Sequence, residues 1–276
     1  MWWTRKNKTI RTLAGLERSE LASARDSAGF DFAALLRPGT ATALLKVDPS
    51  APIDDEMISA WERLVSRDSS VLACEMISSA TPHVAITWMR EAKAEKKDDS
   101  EILTRLATVL PDFYASTAVT LTPMTKDDVR RLFISECSLV FDHNQWPHIN
   151  AEVEESSSAI SVDDLSFASF DVMDDSGVDD LLRRWCSEEG AASARFNRIF
   201  RPSDTDDPGR HCGVLTIFSP GTNHEILERI VDEVLGLLNP VQRLRIRRLY
   251  ARQNAGLTAG LGIGAFAWNA TTTRAA

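Results

Sequence analysis

An α+β fold is predicted by two observations. Between residues 40 and 122 the apolar residues alternate between a period of two and a helical period, in the order β-α-β-β-α-β. The same order returns from residue 159 to the end, up to one inserted helix. Two such units in tandem predict two antiparallel sheets, each with helices packed on one face, the ferredoxin-like βαββαβ arrangement. The chain then divides into a basic leader or tether (1–39), a first α+β unit (40–140), a connector (141–158) and a second α+β unit (159–276). The repeat is one of order, without residue-level identity.

In the leader, Leu13 to Ala24 has weak helical character and Arg37-Pro-Gly39 is a turn. Thr40 to Val47 alternates as a strand and ends at Asp48-Pro-Ser-Ala-Pro52. Ile53 to Val65 is a helix, with Met57, Ile58, Trp61, Leu64 and Val65 on one stripe and Asp54, Asp55 and Glu56 in its first turn. Ser70 to Ser78 and His83 to Arg90 are strands; Ser100 to Tyr114 is a helix; Ala118 to Thr122 is a strand. Thr125-Lys-Asp-Asp128 has the form of a helix start, an N-cap Thr with an acid at the third helical position, and opens a helix over 127–140.

The second unit begins with Ala159 to Met173, a long strand or bent pair, and the helix Ser176 to Glu188. A hairpin follows: Arg195 to Arg201, a loop Pro202-Ser-Asp-Thr-Asp-Asp-Pro-Gly209, and Gly213 to Phe218. Phe196, Arg198 and Phe200 fall on one face of its first strand, Asn197, Ile199 and Arg201 on the other. Ile226, Leu227, Ile230, Val231, Val234 and Leu237 then stand at helical spacing. Val241 to about Leu257 is expected to be a further helix, Gly260 to Gly264 its stop, and Ala265 to Thr273 a last strand.

The chain has 276 residues, 43% of them hydrophobic and 26% charged, an ordinary globular composition. Its formal net charge of −9 argues against non-specific nucleic-acid binding as the main task. Cys74, Cys137, Cys186 and Cys212 lie far apart, a spacing of free thiols in a reducing compartment rather than of a disulfide framework or zinc site. No stretch approaches the roughly 18 apolar residues of a membrane span, and no apolar core follows the N-terminal charges as in a signal peptide. Trp2 and Trp3 beside Arg5, Lys6, Lys8 and Arg11 suit either a disordered basic arm or a contact with a cytoplasmic membrane surface.

Catalytic patterns find little support. There is no P-loop, and Gly260-Leu-Gly262-Ile-Gly264 follows a helix and precedes a strand, the reverse of a dinucleotide fingerprint. Asp142-His-Asn-Gln-Trp-Pro-His148 is a local histidine cluster, but Pro147 keeps His143 and His148 off one helical face. No Gly-x-Ser-x-Gly elbow occurs. Asp163-Asp164, Asp174-Asp175 and Asp179-Asp180 are adjacent pairs whose side chains diverge, as in turns and helix N-termini. A basic concentration spans Arg243 to Arg252; on one helix Arg245, Arg248 and Arg252 would share a side, either paired with the chain's own acids or facing an acidic partner, lipid headgroups or single-stranded DNA.

Several stretches carry a resemblance by their shared order: Ala41-Thr-Ala-Leu-Leu-Lys-Val47 with Trp61, Leu121-Thr-Pro-Met-Thr-Lys-Asp-Asp128, Arg195-Phe-Asn-Arg-Ile-Phe-Arg-Pro202, Gly213-Val-Leu-Thr-Ile-Phe218, and Arg247-Arg-Leu-Tyr-Ala-Arg-Gln253 through Gly260-Leu-Gly-Ile-Gly-Ala-Phe266. Over residues 40–276 the chain resembles an actinobacterial family of membrane-associated proteins encoded in conjugation and type IV secretion-like clusters. The cytoplasmic part of that family looks like the N-terminal, non-motor region of the type IV secretion ATPase. The chain departs from the family in lacking its membrane helices. The resemblance implies a non-enzymatic structural component at the inner face of the cell membrane, binding the other subunits of the complex, the motor ATPase included. It implies no catalytic residue, cofactor or metal. The candidate interaction residues are Arg243, Arg245, Arg248 and Arg252, with Trp2, Trp3, Arg5 and Lys6 as a membrane-facing arm. The alternatives are a nucleic-acid-binding module using the Arg243–Arg252 helix and a hydrolase using the His143/His148 loop. Two similar sheet-and-helix layers are the premise of the scaffold reading; a single undivided sheet, or a deep cleft where histidines and carboxylates converge, would overturn it.

Overall fold

The computed structural model describes residues 13–48, 55–90, 99–115, 121–137, 146, 151–173, 176–188, 190, 192–203 and 210–265. In the first half β1 (Glu20–Arg25), β2 (Asp31–Arg37) and β3 (Thr40–Val47) lead into α1 (Asp55–Val65), β4 (Val71–Ser78), β5 (His83–Met89), α2 (Ser100–Ala115), β6 (Leu121–Pro123) and α3 (Lys126–Cys137). The second half holds β7 (Val153–Glu155), β8 (Ile160–Val162), β9 (Leu165–Met173), α4 (Ser176–Ser187), β10 (Ala194–Arg201), β11 (Arg210–Pro220), α5 (His224–Gly236), α6 (Pro240–Arg243), β12 (Ile246–Arg248) and α7 (Gln253–Gly260). Among the described residues, no helix is long and apolar enough to cross a membrane.

The fold is mixed α+β, but the two expected sheets are one: among the described residues, a single antiparallel sheet of twelve strands. Its path is β1-β2-β3-β5-β4-β10-β11-β9-β8-β7, with β6 also on β3 and β12 also on β9. Each β-α-β-β-α-β segment therefore has the same spatial order, β6-β3-β5-β4 in the first half and β12-β9-β11-β10 in the second. β3 gives the edge Thr40–Ala43 to β2 and Leu45–Val47 to β6. β9 divides its edge between β8 and β12 in the same way. The halves meet where β4 pairs with β10, Ile77 opposite Asn197. This seam joins what the sequence suggested were separate layers, because both strands would otherwise be open edges with unpaired backbone donors and acceptors.

Helices cover both faces, not one. On the first face, Ala41, Ala43 and Leu45 of β3 and Ile86 and Trp88 of β5 pack against Trp61 of α1 and Leu106, Leu110 and Phe113 of α2. The same face continues as Phe170, Phe196 and Leu215 with Val178 and Leu182 of α4 and Leu227, Val231 and Val234 of α5. On the opposite face, Leu35, Leu44, Ala85, Ile160 and Phe167 meet Val129, Leu132 and Phe133 of α3, Leu257 of α7 and the following Leu261 and Ile263. Burial on both faces explains why β2, β3, β5, β9 and β10 are nearly continuously buried rather than alternating with solvent.

Three further expectations change, one open alternative is decided and one lies outside the described residues. Residues 20–37 are strands of the sheet rather than tether, and Leu13 and Leu16 are fully buried in the second core. No helix forms over the described part of Leu13 to Ala24, which is turns followed by β1. Ala159 to Met173 is the bent pair, β8 and β9 joined at Asp163, whose φ of 46° reverses the chain. The expected helix from Val241 to Leu257 breaks into α6, β12 and α7, because Ile246 enters the core and β12 pairs with β9 opposite Phe170 to Val172. Of the expected final strand only Ala265 is described; the remainder lies outside the described residues. The helix start at Thr125 is borne out: Thr125 Oγ1 accepts from the Asp128 amide at 3.3 Å and Asp128 Oδ2 accepts from the Thr125 amide at 2.9 Å.

Candidate functional site

The sequence singles out residues that fold to different places. Trp2, Trp3, Arg5, Lys6, His143 and His148 lie outside the described residues. His83 is fully enclosed, with Nδ1 3.0 Å from the Thr81 carbonyl and Nε2 3.0 Å from that of Leu261. Burial holds its imidazole below the ordinary range. Burial likewise raises all four thiols, Cys137 and Cys212 to about 11, so none is a ready thiolate. Among the described residues, no three His, Cys, Asp or Glu are grouped to hold a metal ion. Asp163 turns the chain, Asp179 meets Arg198 at 3.3 Å and Asp180 meets Arg183 at 3.0 Å, so these carboxylates serve turns and ion pairs.

An open cleft of about 460 Å³ lies between α1 and the β10–β11 hairpin, lined by Ser59, Glu62, Arg63, Arg67, Phe200 and His211. Among the described residues its one carboxylate is engaged: Glu62 Oε1 accepts from Arg198 NH1 at 2.6 Å. His211 Nδ1 stands 3.7 Å from that oxygen, beyond hydrogen-bond reach.

The polar side chains at the centre of the sheet serve the C-terminal segment. α7 and the glycines after it cross the second face of the sheet over the β4–β10 seam. Asn197 Nδ2 donates to the Ala259 carbonyl at 2.7 Å and to Glu75 Oε1 at 2.8 Å. Glu75 Oε2 accepts from the Gly264 amide at 2.5 Å, and Arg37 NH2 donates to the Ile263 carbonyl at 3.1 Å. Gln253 Oε1 accepts from the Ser169 amide at 2.7 Å. The close approach requires glycine: a Cβ at Gly260 would stand 2.1 Å from Thr216 Oγ1, and one at Gly264, where φ is +72°, 2.2 Å from Thr42 Oγ1. The glycine run is thus more than a helix stop. It is a strap that lies flat on a sheet face.

The basic concentration does not form one helical side. Arg243 ends α6, Arg245 lies in the following turn, Arg248 is in β12 and Arg252 caps α7. Arg248 is bound internally: its NH1 and NH2 donate to the Glu228 carboxylate at 2.7 and 2.6 Å, its Nε donates to the Ser158 carbonyl at 2.9 Å, and its guanidinium stacks over Phe170. Arg243, Arg245, Arg247 and Arg252 are exposed. Arg243 Nε donates to the Leu238 carbonyl at 3.0 Å, which fixes its stem.

Before and between these arginines the chain exposes apolar groups: Leu237 at 47%, Val241 at 65%, Leu244 at 73% and Tyr250 at 65%. Four of the eight exposed large apolar side chains among the described residues thus fall between positions 237 and 250. Two of them are presented rigidly. Asn239 Oδ1 accepts from the amides of Val241 and Gln242, and Gln242 Oε1 accepts from the Asn239 amide, a complete capping box with Pro240 in the first turn. Val241 and Leu244, three apart, then share one side of that turn. A sequence signal for this ledge exists and was missed: all forty acidic residues precede Val234, and six arginines follow it. No family model matches the sequence. A search of the curated proteins finds no match either.

Proposed function

We propose that this chain is a non-enzymatic assembly component on the cytoplasmic side of a type IV secretion-like or conjugation apparatus, docking to other subunits of the complex, the motor ATPase included. The supporting observation is the ledge from Leu237 to Arg252, an acid-free stretch that exposes apolar and basic groups on a chain whose formal charge is −9. Exposed apolar residues rimmed by charge are a mark of interaction surfaces. The undivided sheet overturns the two-layer premise of the scaffold reading, so the proposal stands on the ledge and not on layering. In its place stand the seam and the strap, which commit the central Glu75, Asn197, Arg37 and Gln253 to the chain's own backbone.

The proposal extends to the fold of each half. Each half is a ferredoxin-like unit with its own β-α-β-β-α-β run, and two more strands lead into each. The matching orders β6-β3-β5-β4 and β12-β9-β11-β10 support it. Such a body offers its outer strands, β1 and β7, and its helix faces to partners.

Affinity capture by the tagged chain from cells carrying the other subunits of the cluster tests the proposal. Specific recovery of the motor ATPase or a channel subunit is expected. Recovery of none of them, with the bait folded, removes it.

A further inference from the structure

The ledge is short, it is held by a capping box, and its own charged side chains are all basic. Val241 and Leu244 project into solvent from the capped turn of α6, and Arg243, Arg245 and Arg247 alternate with Leu244 and Ile246 along the chain that follows. Asp171 faces Arg247 across the β9–β12 pair, and Asp232 and Glu233 lie on α5 before Leu237; no acid follows them in sequence. Cationic stems around isolated aliphatic tips, with a tyrosine nearby, are the composition that rests at a headgroup boundary.

We infer that this ledge is a contact for anionic phospholipid headgroups, in which Val241 and Leu244 enter the boundary between headgroups and acyl chains and Arg243, Arg245 and Arg247 lie on the phosphates. The inference rests on the reading of the chain as a component at the inner face of a membrane and names the surface that meets it. Charge complementarity selects the occupant: the stretch is acid-free and cationic on a chain of formal charge −9, so an anionic bilayer attracts it and repels the acidic surface elsewhere.

Co-sedimentation of the full 276-residue chain with vesicles tests it. One set is phosphatidylcholine alone, the other phosphatidylcholine with phosphatidylglycerol. Binding to the anionic set only is expected, weakening as salt rises. The double variant Val241→Asp/Leu244→Asp should lower partitioning about tenfold or more. The triple variant Arg243→Ser/Arg245→Ser/Arg247→Ser should lower it about a hundredfold. Arg243 also donates to the Leu238 carbonyl and Arg247 faces Asp171, so the melting temperature of each variant is measured beside its partitioning, which separates lost contact from lost fold. Absence of binding to anionic vesicles, or a double variant that binds as the wild type does, overturns the inference. Displacement of the vesicles by single-stranded DNA, with loss on the triple variant alone, makes the ledge a nucleic-acid contact and overturns it too. Capture of a cluster subunit that persists while vesicles stay unbound leaves the assembly reading standing without the lipid contact.

Discussion

Arg195 is among the largest side chains with no solvent exposure, and its charge is matched. Its NH1 donates to the Glu136 carbonyl at 2.9 Å and to Glu136 Oε2 at 3.1 Å, and its guanidinium lies 5.7 and 5.8 Å from the ring centres of Phe167 and Phe218. Thr81 Oγ1 also donates to the Glu136 carboxylate. Removing one member of a buried pair strands the other charge, so Arg195→Ala should cost about 3–5 kcal/mol in urea unfolding. Removing both charges in Arg195→Met/Glu136→Leu should cost clearly less than the single change, because an apolar pair leaves no orphan charge. Equal losses would show that Arg195 acts by volume alone. In sequence, Arg195 and Asn197 look like the solvent side of a half-buried strand. Which groups cover that side is fixed by α3 and the strap, elements distant along the chain, and periodicity carries no record of them.

At the scale of elements, strands and helices with their own local signals were legible. Met57, Ile58, Trp61 and Val65 placed α1, and the Thr125–Asp128 cap placed the start of α3, within a residue or two. The stretch from Val241 to Leu257 misled because its leucines and arginines are good helix formers. Propensity lost there to tertiary pairing: Ile246 gains a core and β12 gains the free edge of β9. The strap was legible only as a break, since a sequence does not say what a glycine must clear. Gly260→Ala is the direct check. Its Cβ would overlap Thr216, and the substitution should destabilise by about 1–3 kcal/mol, the range of overpacked cores. Hydrogen exchange should quicken over residues 253–265 before the rest of the chain. An unchanged melting temperature with unchanged exchange would mean that the strap is not held as closely as its contacts state.

For the molecule as a whole, Glu75 is where the three parts meet: it stands on β4, accepts from Asn197 of the second half and accepts from Gly264 of the strap. Burial pushes its carboxyl up to about 7, against the opposing effect of Asn197 and Arg37. Between the ordinary value near 4.5 and 7 the folded chain therefore holds a proton that the unfolded chain has released. Stability from this group is greatest at acid pH and falls as pH rises through that window, by about 3 kcal/mol in all, then levels off. Glu75→Gln should flatten this part of the urea-unfolding profile between pH 5 and 7. A slope unchanged by the substitution would assign the titration to another group.

The sequence by itself determined the mixed α+β class, the repeated β-α-β-β-α-β order and most element positions, because capping, turn chemistry and apolar period act over a few residues. Tertiary structure alone decided that the halves share one sheet, that helices cover both faces and that the arginines form a ledge instead of a helical stripe. Those outcomes depend on backbone edges and contacts between residues as far apart as Glu75 and Asn197, 122 positions in the chain. A strand's hydrogen-bonding edge is the same whatever its side chains, so its choice of neighbour is settled only when the whole chain has been packed.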